Sequence, residues 1–183
     1  MSRLIYIVGV SGAGKDALIN YCRKKINGVV PVIFAHRYIT RPANAGSENH
    51  IELSVEEFKQ RANHNLFAMN WKSHGLHYGI GAEINNWLQQ GFVVVVNGSR
   101  EYLNTALQKY PQMQPILITA DAETLKARLT QRGREDEATI NSRIARNTVL
   151  NFKDEGIILI ENNGTVDQAA NELLTHILQS QAI

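Results

Sequence analysis

Residues 4–16, LIYIVGVSGAGKD, decide how the rest of the chain is read. An apolar run from Leu4 to Val8 leads straight into GVSGAGK at residues 9–15, which has the spacing GxxxxGK. Placed between a strand and a helix, such glycines let consecutive backbone N–H groups turn inward on phosphate oxygens, and the helix dipole adds to the attraction. Gly9, Ser11, Gly12, Ala13, Gly14 and Lys15 are therefore expected to hold the phosphates of ATP, with Lys15 exposed in a cleft along the β- and γ-phosphates. The next position usually carries a serine or threonine whose hydroxyl helps hold magnesium, and here it is Asp16. A carboxylate beside phosphates is repelled unless a cation lies between them, so Asp16 is expected near Mg2+, directly or through a bound water. The other reading, that Asp16 only favours the helix N-terminus electrostatically, stays open.

Composition narrows the class. With 183 residues, 44% of them apolar, the chain can bury one core, and two independent domains are not expected. Charged residues make up 20%, the net charge is +2 and no block of like charge exists, which suits small phosphorylated ligands and gives no nucleic-acid arm. The leading apolar run is too short for a membrane span. A single Cys22 and six histidines without repeated ligand spacing point to a reducing cytoplasm, no structural zinc and a core-filling thiol.

Short apolar runs alternate with helical patterns. Strands are expected at Leu4–Val8, Val29–Ala35, Phe92–Val96, Ile116–Thr119 and Ile157–Ile160, each apolar throughout, as strands covered on both faces must be. Capping boxes are expected at Ser54 with Glu57 and at Thr165 with Gln168, a cap at Asp121 and a helix stop at Gly91. The alternation predicts an α/β fold around a parallel sheet. Residues 36–80 break the rhythm and read as a small inserted subdomain; residues 132–146, dense in charge, read as a lid. The core then comprises 1–35, 81–131 and 147–183 of one domain.

Beyond the loop, several stretches carry a resemblance: TR at 40–41, GLHYG at 75–79, GFVVVVNGSR at 91–100, LKARLTQRGR at 125–134 and IENNG at 160–164. In order and spacing, along nearly the whole chain, they resemble guanylate kinases of the P-loop NTPase superfamily. Within that superfamily GxSGxGKD, AHRYITR followed by AGSENHI, and VNGSR are most similar to the ribose 1,5-bisphosphate phosphokinases. The resemblance implies a guanylate kinase-like three-layer fold, ATP and Mg2+ as cofactors, and a phosphorylated sugar as acceptor, in a cytoplasmic monomer or homodimer. It places Arg41 and Tyr78 on the acceptor's phosphate, Arg128 and Arg143 on the transferring phosphates, Arg132 against adenine and Asn162 beside the base.

The departures from guanylate kinases matter too. Asn44 stands where that family has a second arginine, GSE interrupts its GE pair, and Asn97 replaces the strand-ending aspartate that reads guanine. A neutral amide cannot supply the negative charge that suits two N–H donors. Arg37 and Arg41, four apart in HRYITR, could bring two guanidinium forks to one phosphate, and Glu48, Asn97 and Arg100 are further candidates for the sugar or a second phosphate. On the charged helix, Arg128 and Arg132 share a face, with Arg143 and Arg146 following at a spacing of three. An acceptor that is itself a phosphate needs no general base, and the sequence offers no acid/base dyad. The expected reaction is ATP-dependent conversion of ribose 1,5-bisphosphate to 5-phosphoribosyl 1-diphosphate (PRPP). A nucleoside monophosphate kinase and a non-catalytic binding module are the rivals.

Overall fold

The computed structural model describes residues 3–10, 12–26, 28, 30–45, 48–133, 136–142 and 156–179. Five strands, β1 (Arg3–Gly9), β2 (Val32–Phe34), β7 (Val93–Asn97), β8 (Gln114–Thr119) and β9 (Ile158–Glu161), form one sheet in the order β2-β7-β1-β8-β9. Every pairing in it is parallel. All five strands fall where the apolar runs put them.

The period of two along β1 and β7 sorts their side chains between two layers. Ile5, Ile7, Val93 and Val95 pack with Leu18 and Cys22 of α1 (Lys15–Ile26) and with Leu173 and Ile177 of α7 (Val166–Leu178). Leu4, Tyr6, Val8, Val94 and Val96 face the other way, onto Ile84 of α3 (Glu83–Gln89) and Leu103 and Ala106 of α4 (Leu103–Lys109). Helix, sheet and helix make the expected three layers. Cys22 lies in the first of them, its thiol pushed up to about 12 by burial, and fills core.

A second sheet, in the order β4-β3-β6-β5, is built from β3 (Arg37–Ile39), β4 (Ile51–Glu52), β5 (Phe67–Ser73) and β6 (Leu76–Gly81). Strands β5 and β6 form an antiparallel hairpin whose turn holds His74 and Gly75 at φ 49° and 77°. Two positive φ values in succession give the backbone twist that closes a two-residue hairpin. Helix α2 (Val55–Asn63) lays Phe58 on Phe67, with ring centroids 4.6 Å apart.

The expected helix signals are met with one exception. Asp121 caps α5 (Ala122–Arg132) by accepting from the Thr124 N–H at 2.7 Å, and Thr165 and Gln168 form a reciprocal box at α7. Ser54 accepts from the Glu57 N–H at 3.0 Å, but the Glu57 carboxylate turns to Arg61 at 2.7 Å, so only half of that box is made. An ion pair one turn away outcompetes the backbone for the carboxylate. Helix α6 is described over residues 137–142. Ser11 and residues 143–155, Arg143 and Arg146 among them, lie outside the described residues, as does the Arg132 side chain. Among the described residues no helix is long and apolar enough to cross a membrane.

Candidate active site

The turn between β1 and α1 is held from three sides. The Val10 N–H donates to Ile118 O of β8 at 3.2 Å and the Ala13 N–H closes back on Val10 O at 3.1 Å. Gly12 and Gly14 adopt φ of 90° and 83°, which side-chain-bearing residues resist. Gly14 has a second reason to lack a side chain: a Cβ there would lie 2.7 Å from the Asn162 amide nitrogen. That nitrogen donates to Ala13 O at 2.7 Å, while the Asn162 N–H donates to Thr119 O at 2.8 Å. Asn162 is 1% exposed. Its amide is thus a strut beneath the loop, where the family resemblance puts a base contact.

On the open side, α5 covers the loop. Leu125 and Leu129 approach Gly12, and Arg128 reaches over Gly14 to within 4.0 Å of the Cβ a side chain there would have. Arg128 Nη1 is buried and has no hydrogen-bond partner among the described residues. A guanidinium nitrogen withdrawn from water beside the glycine loop is a site prepared for anionic oxygen.

Lys15 departs from expectation. Its side chain is 16% exposed, less open than a free cleft lysine, because Nζ donates to Asn97 Oδ1 at the end of β7 and lies 3.4 Å from Asp16 Oδ1. Desolvation holds its pKa below the ordinary lysine value, with Asp16 acting in the opposite sense. For Asp16, desolvation opposes ionisation, but the charges of Lys15 and Arg37 and the amide of Asn97 outweigh it and hold the carboxyl below the usual range. Asn97 Nδ2 donates to Asp16 at 3.0 Å and to Glu48 Oε1 at 3.3 Å.

Glu48 carries the network into the second sheet. Both its oxygens accept from Arg37, through Nε and Nη2, and Arg41 Nη2 stands 3.5 Å away. Arg37 and Glu48 are thus paired with each other, where the sequence reading offered Arg37 to a phosphate. Arg41 is steadied by His50, which is 6% exposed and packs Nε2 against Arg41 O at 3.0 Å and Nδ1 against Arg41 Nη2 at 3.3 Å. The Arg37 guanidinium lies 5.2 Å from the Tyr78 ring centroid, within cation–π range.

Gly9, Lys15, Arg37, Tyr78 and Arg100 line one cleft of roughly 230 Å³, together with Trp71, His74 and the Gly98–Ser99 backbone. Tyr6 sets that backbone: its hydroxyl accepts from the Ser99 N–H at 2.9 Å and donates to Ser99 O at 3.1 Å. Tyr6 and Trp71 were not among the residues expected at the site. Tyr6 sits in an apolar strand, and no local pattern marks its hydroxyl as the post that carries Arg100 into the cleft.

No family model matches the chain. Curated relatives do. A ribose 1,5-bisphosphate phosphokinase PhnN of Desulfomicrobium baculatum is 46% identical over 180 residues, 98% of this chain and 96% of its own. Namesakes from Psychromonas ingrahamii and Burkholderia mallei are 44% and 48% identical over 99% and 94% of this chain, and 92% and 93% of their own. Among solved structures, guanylate kinase from Anaplasma phagocytophilum superposes with a TM-score of 0.73 at 13% identity, covering 100% of this chain and 87% of that one. That likeness gives the fold.

Proposed function

The chain belongs to the ribose 1,5-bisphosphate phosphokinase family, and from that premise we propose that it transfers the γ-phosphoryl group of ATP to the 1-phosphate of ribose 1,5-bisphosphate, giving PRPP and ADP. The observation that carries the reading is that Lys15, at the end of the phosphate loop, and Arg37, Tyr78 and Arg100, from other elements, line a single cleft. Donor and acceptor phosphates bound by these groups would face each other across it. The acceptor oxygen is ionised at neutral pH, so the protein has no proton to remove; its task is to bring two anions together and align them.

The residues divide that task. Lys15 would leave Asn97 for the β- and γ-phosphates, supplying charge where it develops in the transition state. Arg128 would meet the triphosphate from above through its unpartnered nitrogen, with Arg143 and Arg132 following from the lid and Ser11 from the loop. Arg41 and Tyr78 would take the acceptor's phosphate. Glu48, held by Arg37, would accept from sugar hydroxyls, and Asn97 and Arg100 would complete the acceptor site, so that residues 36–80 act as the acceptor-binding subdomain.

Membership of this kinase family implies ATP and a divalent metal in general terms. The residues fit Mg2+: Asp16 keeps a 39% exposed, ionised carboxylate beside the loop, the hard oxygen donor that magnesium takes alongside its waters. When bound, the ion would neutralise charge on the β- and γ-phosphates.

The rival is phosphorylation of a nucleoside monophosphate. One enzyme sample assayed by ADP release with ribose 1,5-bisphosphate and with GMP decides between them. The bisphosphate is expected to turn over at least tenfold faster at equal concentration. Equal or faster use of GMP would overturn the assignment.

A further inference from the structure

Among the charges of the cleft stands one large apolar group. Trp71 of β5 lines it beside Lys15, Arg37, Tyr78 and Arg100. The indole is held from two elements. Trp71 and Tyr78 are cross-strand partners in the β5–β6 register, with rings within 3° of parallel and centroids 5.7 Å apart. Tyr102, at the start of α4, packs at 5.5 Å and 30° from the other direction along the chain. A side chain with two χ angles and two aromatic neighbours forms a fixed wall.

Charge and an apolar wall in one cleft suit one shape of acceptor. A pentose bisphosphate presents two anionic ends joined by a ring with a C–H face. A nucleoside monophosphate has one anionic end and a planar base that needs both volume and donor–acceptor partners. We propose that Trp71 is the specificity-determining residue of the acceptor cleft, packing against the C–H face of the pentose and occupying space that a nucleobase would need. The inference rests on the functional reading above and assigns within it the residue that selects a sugar over a nucleotide.

The test compares wild type, Trp71→Phe and Trp71→Ala with saturating ATP against ribose 1,5-bisphosphate and GMP. Loss of one partly buried aromatic contact should raise the KM for the bisphosphate about tenfold in Trp71→Ala. The KM for ATP should not move, and the ratio of kcat/KM for bisphosphate over GMP should fall about tenfold or more. Trp71→Phe should recover most of the loss. An unchanged ratio in Trp71→Ala overturns the proposal while leaving the activity assignment intact; wild-type enzyme that prefers GMP removes both. Should Trp71→Ala fail to fold, Trp87→Phe leaves Trp71 as the sole tryptophan of the two in the chain. Its fluorescence should then change on titration with ribose 1,5-bisphosphate in the absence of ATP and remain unchanged with GMP. Silence toward the bisphosphate, in an enzyme that turns it over, counts against the wall.

Discussion

At Asp16 two demands conflict, a loop built for anions and the residue's own carboxylate, which must stay ionised beside it. Lys15, Arg37 and Asn97 hold it in that form against its own desolvation. Helix-dipole stabilisation alone would leave the metal requirement untouched when the carboxylate is removed. Metal binding would not. Asp16→Ala is expected to raise the half-saturating Mg2+ concentration about tenfold, one lost charged ligand contact at about 1.4 kcal/mol per decade, while nucleotide affinity in EDTA stays within about threefold. Activity measured against free Mg2+, with calorimetry for the metal-free titration, checks this; an unmoved Mg2+ dependence would place Asp16 outside the metal's surroundings. The loop itself was legible because its parts are consecutive in the chain. The tie from Lys15 to Asn97 was not, since it joins residues 82 apart and no local pattern encodes the pairing. For the same reason Lys15 read as an exposed cleft residue, and the pairing of Arg37 with Glu48 went unseen.

Elements, by contrast, announced themselves where burial is two-sided. The Val93–Val96 run and the Leu4–Val8 run could only be covered strands, and Asp121 and Thr165 marked helix starts through bonds to N–H groups three residues on. Strands β3 and β4, three and two residues long, are too short to show an alternation, and both residues of β4 are exposed. What the strand and helix patterns could not convey is how one element braces another. The turn from β9 to α7 delivers Asn162 beneath the phosphate loop, so the loop's shape depends on an element more than a hundred residues away. Removing that amide leaves Ala13 O buried without its donor, a cost of about 1–3 kcal/mol. Asn162→Ala should therefore weaken ATP binding about tenfold and lower the thermal midpoint by several degrees, with the KM for the acceptor unaffected. A strut predicts both effects together. Weakened ATP binding with an unchanged midpoint would instead return Asn162 to the role of a base contact.

Across the whole molecule, the two sheets meet in a chain of charged and amide groups running from Lys15 through Asn97 and Glu48 to Arg37. The central pair is nearly dry, with side chains 12% and 11% exposed for Arg37 and Glu48. Such a pair contributes little net stability, because desolvation of both ions offsets their attraction; breaking it from one side is what costs. Arg37→Met leaves the Glu48 carboxylate with Arg41 at 3.5 Å and the Asn97 amide, which offset part of the penalty. The single variant is expected to lose about 2–3 kcal/mol in urea unfolding, and Glu48→Leu a similar amount for its stranded guanidinium. Joined in one protein, the two substitutions should cost about 1 kcal/mol or less, a coupling that identifies the pair as the source of the penalty. Acceptor turnover should be lost in all three variants, while ATP affinity, set by the loop and α5, persists in each. Additive destabilisation would mean that the residues act through separate neighbours. Recovery of stability without recovery of turnover would show that this charged seam is maintained for placing the acceptor rather than for joining the sheets.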